Sequence, residues 1–157
     1  MNLALLPWPN RMLSPNARVH HMLKSRYIRA SRFAAAALVR KFPFHTIRNP
    51  VCAVIPIVTT KRRRDIDNVL AGLKSALDGV TDAGWWHDDC EIMAITIRKP
   101  VYIKSWTRDP IILVADEACN EDRMMARIRS FAEWSVEDAE GAFLELTNAL
   151  HRNQIVD

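Results

Sequence analysis

Acidic residues are missing from the first 64 positions of this 157-residue chain. That stretch holds 13 Lys and Arg with no Asp or Glu, a formal charge of +13. All 18 acids fall in residues 65–157 beside 9 basic residues, a formal −9, so the net +4 hides a strong asymmetry. Long apolar runs are missing too. None reaches the ~18 residues that suggest a membrane span. Met1-Asn2-Leu3-Ala4-Leu5-Leu6 is too short, and lacks the basic flank, for a secretory signal. Cysteine is scarce: Cys52, Cys90 and Cys119 are widely spaced and form no C-x-x-C pair. That argues against a disulfide framework or a four-ligand zinc site and suits a reducing cytoplasm. Cys52 lies in an apolar run and reads as a core residue. Cys90 sits beside two aspartates that would repel a thiolate. Repeats and low-complexity segments are absent as well.

What is present is the composition of a folded chain, 49% hydrophobic and 25% charged. Leu3–Leu6 reads as a short strand stopped by Pro7-Trp8-Pro9. From about Arg18 to Lys41 there is no Pro or Gly and much Ala, which predicts a helix. Its spacing puts Leu23, Tyr27, Ala30, Ala34, Ala37 and Leu38 on a packed side and Arg18, Arg29, Arg32 and Arg40 on a cationic one. Val51–Thr60 is a β-branched run and predicts a strand, with Pro56 pointing to an edge position or a bulge. Asp67 or Asn68 is expected to cap a helix to about Leu77, stopped by Asp78-Gly79. Glu91–Val101 reads as a strand and Ile111–Ala115 as its hairpin partner. Two helices follow, near Asn120–Glu133 and Val136–His151, with Ser135 and Asp138 marking the second start. Met124-Met125, Ile128, Phe131 and Trp134 recur there at helical spacing and are expected to pack a core or extend a dimer. The order β-α-β-α-β-β-α-α predicts an α+β fold with a mixed β-sheet packed with helices, plus a C-terminal helical extension.

Two acid pairs carry the chemistry. Asp65 and Asp67 are two apart at a strand end, which places both carboxylates on one face. Asp88 and Asp89 precede the next predicted strand. If the two strands are neighbours, the pairs converge at one end of the sheet. Crowded carboxylates repel unless a cation sits between them, and Mg2+ favours such oxygen ligands. Such an ion activates water and stabilises charge on a phosphoryl group. With Asp67 set at 0°, Ala71 falls at roughly 40°, Lys74 at roughly −20° and Asp78 at roughly 20°, so Lys74 shares a polar stripe with Asp67. Helical side chains lean toward the N-terminus, which aims Lys74 back over the small Ala71 toward the carboxylates. Taken alone, Asp-x-Asp after a strand is more often only a helix cap and Asp-Asp only a turn; their combination with the basic run and Lys74 carries the functional reading.

The cationic half suits a polyanion, because Lys and Arg neutralise phosphates and release counterions. Lys61-Arg62-Arg63-Arg64 abuts the first acid pair, so a bound backbone would pass beside it. Trp8, Trp85 and Trp86 are placed either to stack on bases or to pack a core or a dimer contact. His87 stands beside Asp88-Asp89, as a base, a ligand or a surface loop residue.

These residues resemble the RusA-type Holliday junction resolvases, a family common in phages and prophages. The resemblance rests on Leu6-Pro7-Trp8-Pro9 with Leu13-Ser14-Pro15-Asn16-Ala17-Arg18, on Arg63-Arg64-Asp65-Ile66-Asp67-Asn68, and on Ala83-Gly84-Trp85-Trp86-His87-Asp88-Asp89-Cys90-Glu91-Ile92. Arg98-Lys99-Pro100-Val101 is similar to the family's hairpin. It implies a nuclease domain over residues 1–117 and an extension over 118–157. It further implies a Mg2+-dependent endodeoxyribonuclease (Mn2+ an alternative) that resolves four-way junctions or other branched DNA as a homodimer. Asp65, Asp67 and Asp89 would bind the metal, with Asp88 as an outer or additional ligand. Lys74 would contact the scissile phosphate. DNA contacts would come from Lys61, Arg62, Arg63, Arg64, Asn16, Arg18, Arg29 and Arg32. Two departures stand out: Ala71 occupies the place of a common family lysine, and Ser75 that of a common aspartate. A junction-binding protein without catalysis, or an adaptor working through the C-terminal helices, are the alternatives. The protein is expected to act in the cytoplasm of a bacterial or phage-infected cell, with no membrane role.

Overall fold

The computed structural model describes residues 1–61, 64–104, 109–133 and 135–154. The β-branched run at the centre of the sequence is also the centre of the sheet. It forms β2 (Pro50–Val58), and all nine of its residues are buried. On one side β2 pairs antiparallel with β5 (Pro110–Glu117), which in turn pairs antiparallel with β1 (Asn2–Pro7). On the other side it pairs parallel with β3 (Ala94–Ile97) and then, further along, with β4 (Val101–Tyr102). The sheet is therefore mixed, five-stranded and ordered β1-β5-β2-β3, with β4 continuing along β2 beyond β3. This is the α+β arrangement that the element order predicts. The hairpin is not: β3 pairs with β2, and β5 inserts between β1 and β2.

A strand buried on both faces needs a layer on each. One layer is α1 (His21–Val39) packed on α2 (Ile66–Ala83). The other is α3 (Glu121–Glu133) against β2 and β3, with α4 (Val136–Gln154) against β1. The C-terminal helices share the core of the rest: Phe131, Ala139, Ala142 and Leu146 lie in the same buried cluster as the strands. Met124 and Ile128 pack against it, Met125 is exposed, and Trp134 lies outside the described residues. Ser135 and Asp138 cap each other as expected, with Ser135 N–H donating to Asp138 Oδ2 at 2.7 Å and Asp138 N–H to Ser135 Oγ at 3.1 Å. The first of these bonds holds the Asp138 carboxyl below its ordinary range.

Three other expectations are corrected by packing. α2 does not stop at Gly79; it runs to Ala83 and is closed by Gly84 at φ 94°, a left-handed turn that glycine adopts without strain. Gly79 instead lies inside the helix where α1 crosses it. A Cβ there would meet the Arg32 carbonyl oxygen and lie 3.0 Å from Ala35 Cβ. The buried face of α1 is Ala35, Ala36 and Val39, while Leu23, Ala30 and Ala37 are exposed. The many alanines leave the apolar stripe poorly defined by periodicity, and the crossing at Gly79 selects the face. Pro56 sits in the central strand, not at an edge. The Val54 and Val58 oxygens accept from Arg98 and Ile103 on the β3–β4 side. By alternation Pro56 faces that side too, in the gap between β3 and β4, where its missing N–H costs no ladder bond.

Candidate functional site

The first acid pair opens α2. Asp65 is its N-cap, and Asp65 Oδ1 accepts from Asp67 N–H at 3.2 Å, filling one of the donors a helix start leaves open. Asp65 Oδ2 accepts from Asn68 Nδ2 at 2.9 Å. Asn68 Oδ1 in turn accepts from Ser14 Oγ at 3.4 Å and lies 3.5 Å from Asn16 Nδ2. Asn68 thus ties the loop carrying Asn16 to the carboxylate end of α2. The polar stripe holds: Asp67, Ala71 and Lys74 are exposed, while Val69, Leu73, Ala76 and Leu77 are buried. Lys74 is two turns on from Asp67, about 10 Å along the axis.

Arg64 is fixed from two sides. Its Nη2 donates to Asp109 Oδ2 at 2.7 Å, and its guanidinium lies 5.1 Å from the Trp8 ring centroid. Asp109 Oδ1 also accepts from Thr59 N–H at 2.8 Å and Thr59 Oγ1 at 2.7 Å. Asp109 therefore clamps the end of β2 to the start of β5 and orients Arg64. Sequence reading missed this residue, which sits in an undistinguished polar stretch. Between the Trp8-Pro9-Asn10-Arg11 segment and α2 lies a cleft of about 200 Å³, lined also by Ser14, Arg64, Asp65, Asn68, Val69 and Gly72. The Arg64 Nε is buried there without a hydrogen-bond partner. Lys61 lies nearby at the end of β2, its ammonium 5.4 Å from the Tyr102 ring centroid. A cleft with a fixed guanidinium, amide groups and a helix N-terminus is suited to an anionic ligand.

The second acid pair is elsewhere. Asp88 caps a 3-10 turn at Asp89–Glu91, accepting from Cys90 N–H at 3.0 Å, a bond that lowers its carboxyl below the ordinary range. Asp88 and the neighbouring carboxylates raise the Cys90 thiol. Met93 N–H then donates to Pro50 O, so this turn stands at the start of β2. Asp65 stands past its end. The strands are neighbours, as the convergence required, but they run parallel through the α2 crossover. The expected convergence fails for that reason. Nine β2 residues rise about 26 Å, and eighteen α2 residues about 27 Å. Both rulers put the two pairs some 25 Å apart. Within one chain the carboxylates do not fit a Mg2+ centre drawn from both pairs, whose ligands must lie about 2 Å from the ion. Among the described residues no three Asp, Glu, His or Cys side chains are placed to share an ion.

The remaining candidates divide. Asn16 and Arg18 are exposed at the Asp65 end or next to its loop, and Arg29 is exposed on α1. Arg32 is engaged instead: its Nη2 donates to Asp82 Oδ1 at 2.6 Å and its Nε to Oδ2, tying α1 to α2 and holding the Asp82 carboxyl below its ordinary range. Arg62 and Arg63 lie outside the described residues. Trp85 and Trp86 are core residues, 0% and 1% exposed, with Trp86 Nε1 donating to Thr81 Oγ1, so they do not stack on bases. Cys52 is buried as expected, and burial pushes its thiol up to about 12. His87 is exposed.

No protein-family model matches the chain. A protein of Xylella fastidiosa that carries no described function is 34% identical over 88 residues, covering 53% of this chain and 58% of that protein. The chain thus spans little more than half the length of that relative. Among the described residues no helix is long and apolar enough to cross a membrane.

Proposed function

We propose that this protein is an endodeoxyribonuclease that binds and cuts branched DNA, four-way junctions among them, and requires Mg2+ or Mn2+. The observation that supports this most is the Arg64-Asp65-Ile66-Asp67-Asn68 end of α2. There a fixed guanidinium, a capped helix start and the exposed Asp65 carboxylate line one cleft, and exposed Asp67 follows two residues on. Lys61, Arg64 and Arg18 would hold the phosphate backbone, and Asn16 would steer it past Asp65 through Asn68. Lys74 would approach the scissile phosphate along the polar stripe. On this reading the enzyme works as a homodimer, since a junction of two-fold symmetry needs two paired nicks.

A synthetic four-way junction with Mg2+ tests the reading. Wild-type protein should nick it, Asp67→Asn should not, and Lys74→Ala should bind but cut poorly. A wild type that cuts no branched DNA with either ion, or undiminished cutting by Asp67→Asn, refutes it. The separation of the acid pairs and the presence of Ala71 favour a second reading, a junction-binding protein without catalysis. Metal-independent junction binding with no nicking would establish that one.

A further inference from the structure

The α1 helix leaves much of its apolar surface unused. Ala35, Ala36 and Val39 are buried, while Met22 is 63% and Phe33 76% exposed. Leu23, Ala30 and Ala37 are exposed as well. A single exposed apolar side chain is ordinary, but these share their face with cations. Met22, Arg26, Arg29 and Phe33 follow at steps of four, three and four, which sets them in one row about 16 Å long. Arg26 and Arg29 are exposed and, among the described residues, enter no ion pair. The helix carries four Lys and Arg and no acid.

This row begins at the Asp65 end of the molecule, because α1 and α2 run in the same direction. The loop entering α1 lies against the start of α2, where Ser14 Oγ donates to Asn68 Oδ1 at 3.4 Å. The chain leaving α1 meets the other end, where Arg40 Nη2 donates to Asp82 O at 2.7 Å and Thr46 Oγ1 to Gly84 O at 3.0 Å. Phe33 follows Arg32, whose carbonyl crosses α2 at Gly79. Phe33 is therefore level with Gly79, about 21 Å along α2 from Asp65. That distance is about six base-pair steps of roughly 3.4 Å.

We propose that the outer face of α1 is a second DNA contact, where Arg26 and Arg29 hold the backbone and Phe33 stacks into the bases at a branch, about six base pairs from the cleft. DNA is the occupant because the row carries only positive charge and leads away from the cleft that suits a phosphate. A second copy is the poorer occupant, since two such rows would set like charges against each other. Phe33 has no group that reads a base by hydrogen bonding. Its chemistry toward nucleic acid is stacking, or wedging between base steps. A branch favours that, because base pairs beside it are already half unstacked and cost least to part. Met22, one end of the row, adds apolar contact nearer the cleft. The face thus supplies a preference for branched over continuous duplex that the cleft alone does not. This proposal rests on the reading of the Arg64-Asp65 cleft as a DNA site.

Binding of a labelled four-way junction, and of a duplex of the same sequence, tests it without any metal. Phe33→Ala should keep its native circular dichroism, weaken junction binding about tenfold or more and leave duplex binding nearly unchanged. Phe33→Trp should restore junction binding. Arg29→Ala should weaken both and lower the slope of log K against log salt by about one, whereas Phe33→Ala should not move that slope. 2-Aminopurine, moved along one arm of the junction, should brighten at one step with wild type and at none with Phe33→Ala. If wild type nicks junctions and Phe33→Ala binds them as tightly as wild type, this contact is overturned and the nuclease reading stands. If wild type binds junctions but cuts none, the nuclease reading falls and the binding measurements alone decide the contact. A wild type that binds neither DNA overturns both. A Phe33→Ala protein that loses only its binding to phosphatidylglycerol vesicles, or only self-association in sedimentation, assigns the face to a lipid surface or a second copy and overturns the proposal.

Discussion

Replacing Gly79 by alanine sets two magnitudes against each other. In a helix interior alanine is favoured over glycine by about 1 kcal/mol, so helix propensity alone predicts a more stable protein. The crossing of α1 and α2 predicts the reverse. The new Cβ would meet the carbonyl of Arg32 and lie 3.0 Å from Ala35 Cβ. Arg32 is backbone in the middle of α1 and cannot rotate away, so the helices must part. Overpacking of this kind costs about 1–3 kcal/mol. Because the obstruction is main chain, the upper end applies, and the net loss is about 2 kcal/mol. For a chain of this length that lowers Tm by about 4–8 °C. Gly141, inside α4, is the matched control, because an added Cβ there meets nothing within 4 Å. Only propensity acts at that position, and Gly141→Ala should raise Tm by about 1–4 °C. Thermal unfolding by circular dichroism reads both. A Gly79→Ala protein as stable as wild type, or more so, would refute the close crossing.

Asp109→Ala removes three acceptor bonds at the joint of β2 and β5 and should cost about 2–4 kcal/mol; urea unfolding checks this, and a midpoint equal to wild type would count against the clamp. The Asp82 carboxyl is lowered in the folded state, chiefly by its bonds to Arg32. Its contribution is therefore full above the ordinary carboxyl value near 4 and lost as pH falls through the lowered value. Asp82→Asn should then flatten the drop in Tm between pH 5 and pH 2, and an unchanged acid limb would contradict the assignment. Cys90 is exposed with its thiol raised first of all by Asp88. Thiol labelling at pH 8 should accelerate at Cys90 in Asp88→Asn, while buried Cys52 stays unlabelled until the protein unfolds.

What could be read from residues was local. The β-branched run of β2, the reciprocal cap at Ser135 and Asp138, and the exposed stripe of Asp67, Ala71 and Lys74 all follow from spacing and side-chain chemistry. What could not be read was relational. Gly79 looks like a helix stop because its real role is on another helix. Whether β3 runs parallel or antiparallel to its neighbour leaves no mark in its own four residues. That single unknown decides whether the acid pairs meet within one chain. Asp109 was invisible for the same reason, since its partners Thr59 and Arg64 are distant in sequence.

The pairing of β1 with β5 has a consequence for how the chain is made. Asn2 lies opposite Ala115, and among the described residues β5 is the only strand beside β1. At about 5–20 residues per second, a ribosome takes roughly 6–20 seconds to supply that neighbour. The β2-α2-β3 crossover is complete before then and has what it needs to form first. For that interval the growing protein is a basic segment with an unpaired first strand, and β5 is the late insertion that closes the sheet. Sheets closed by such distant partners fold slowly. The nascent chain therefore passes through a stage in which β1, part of its cationic stretch, has no strand to pair with.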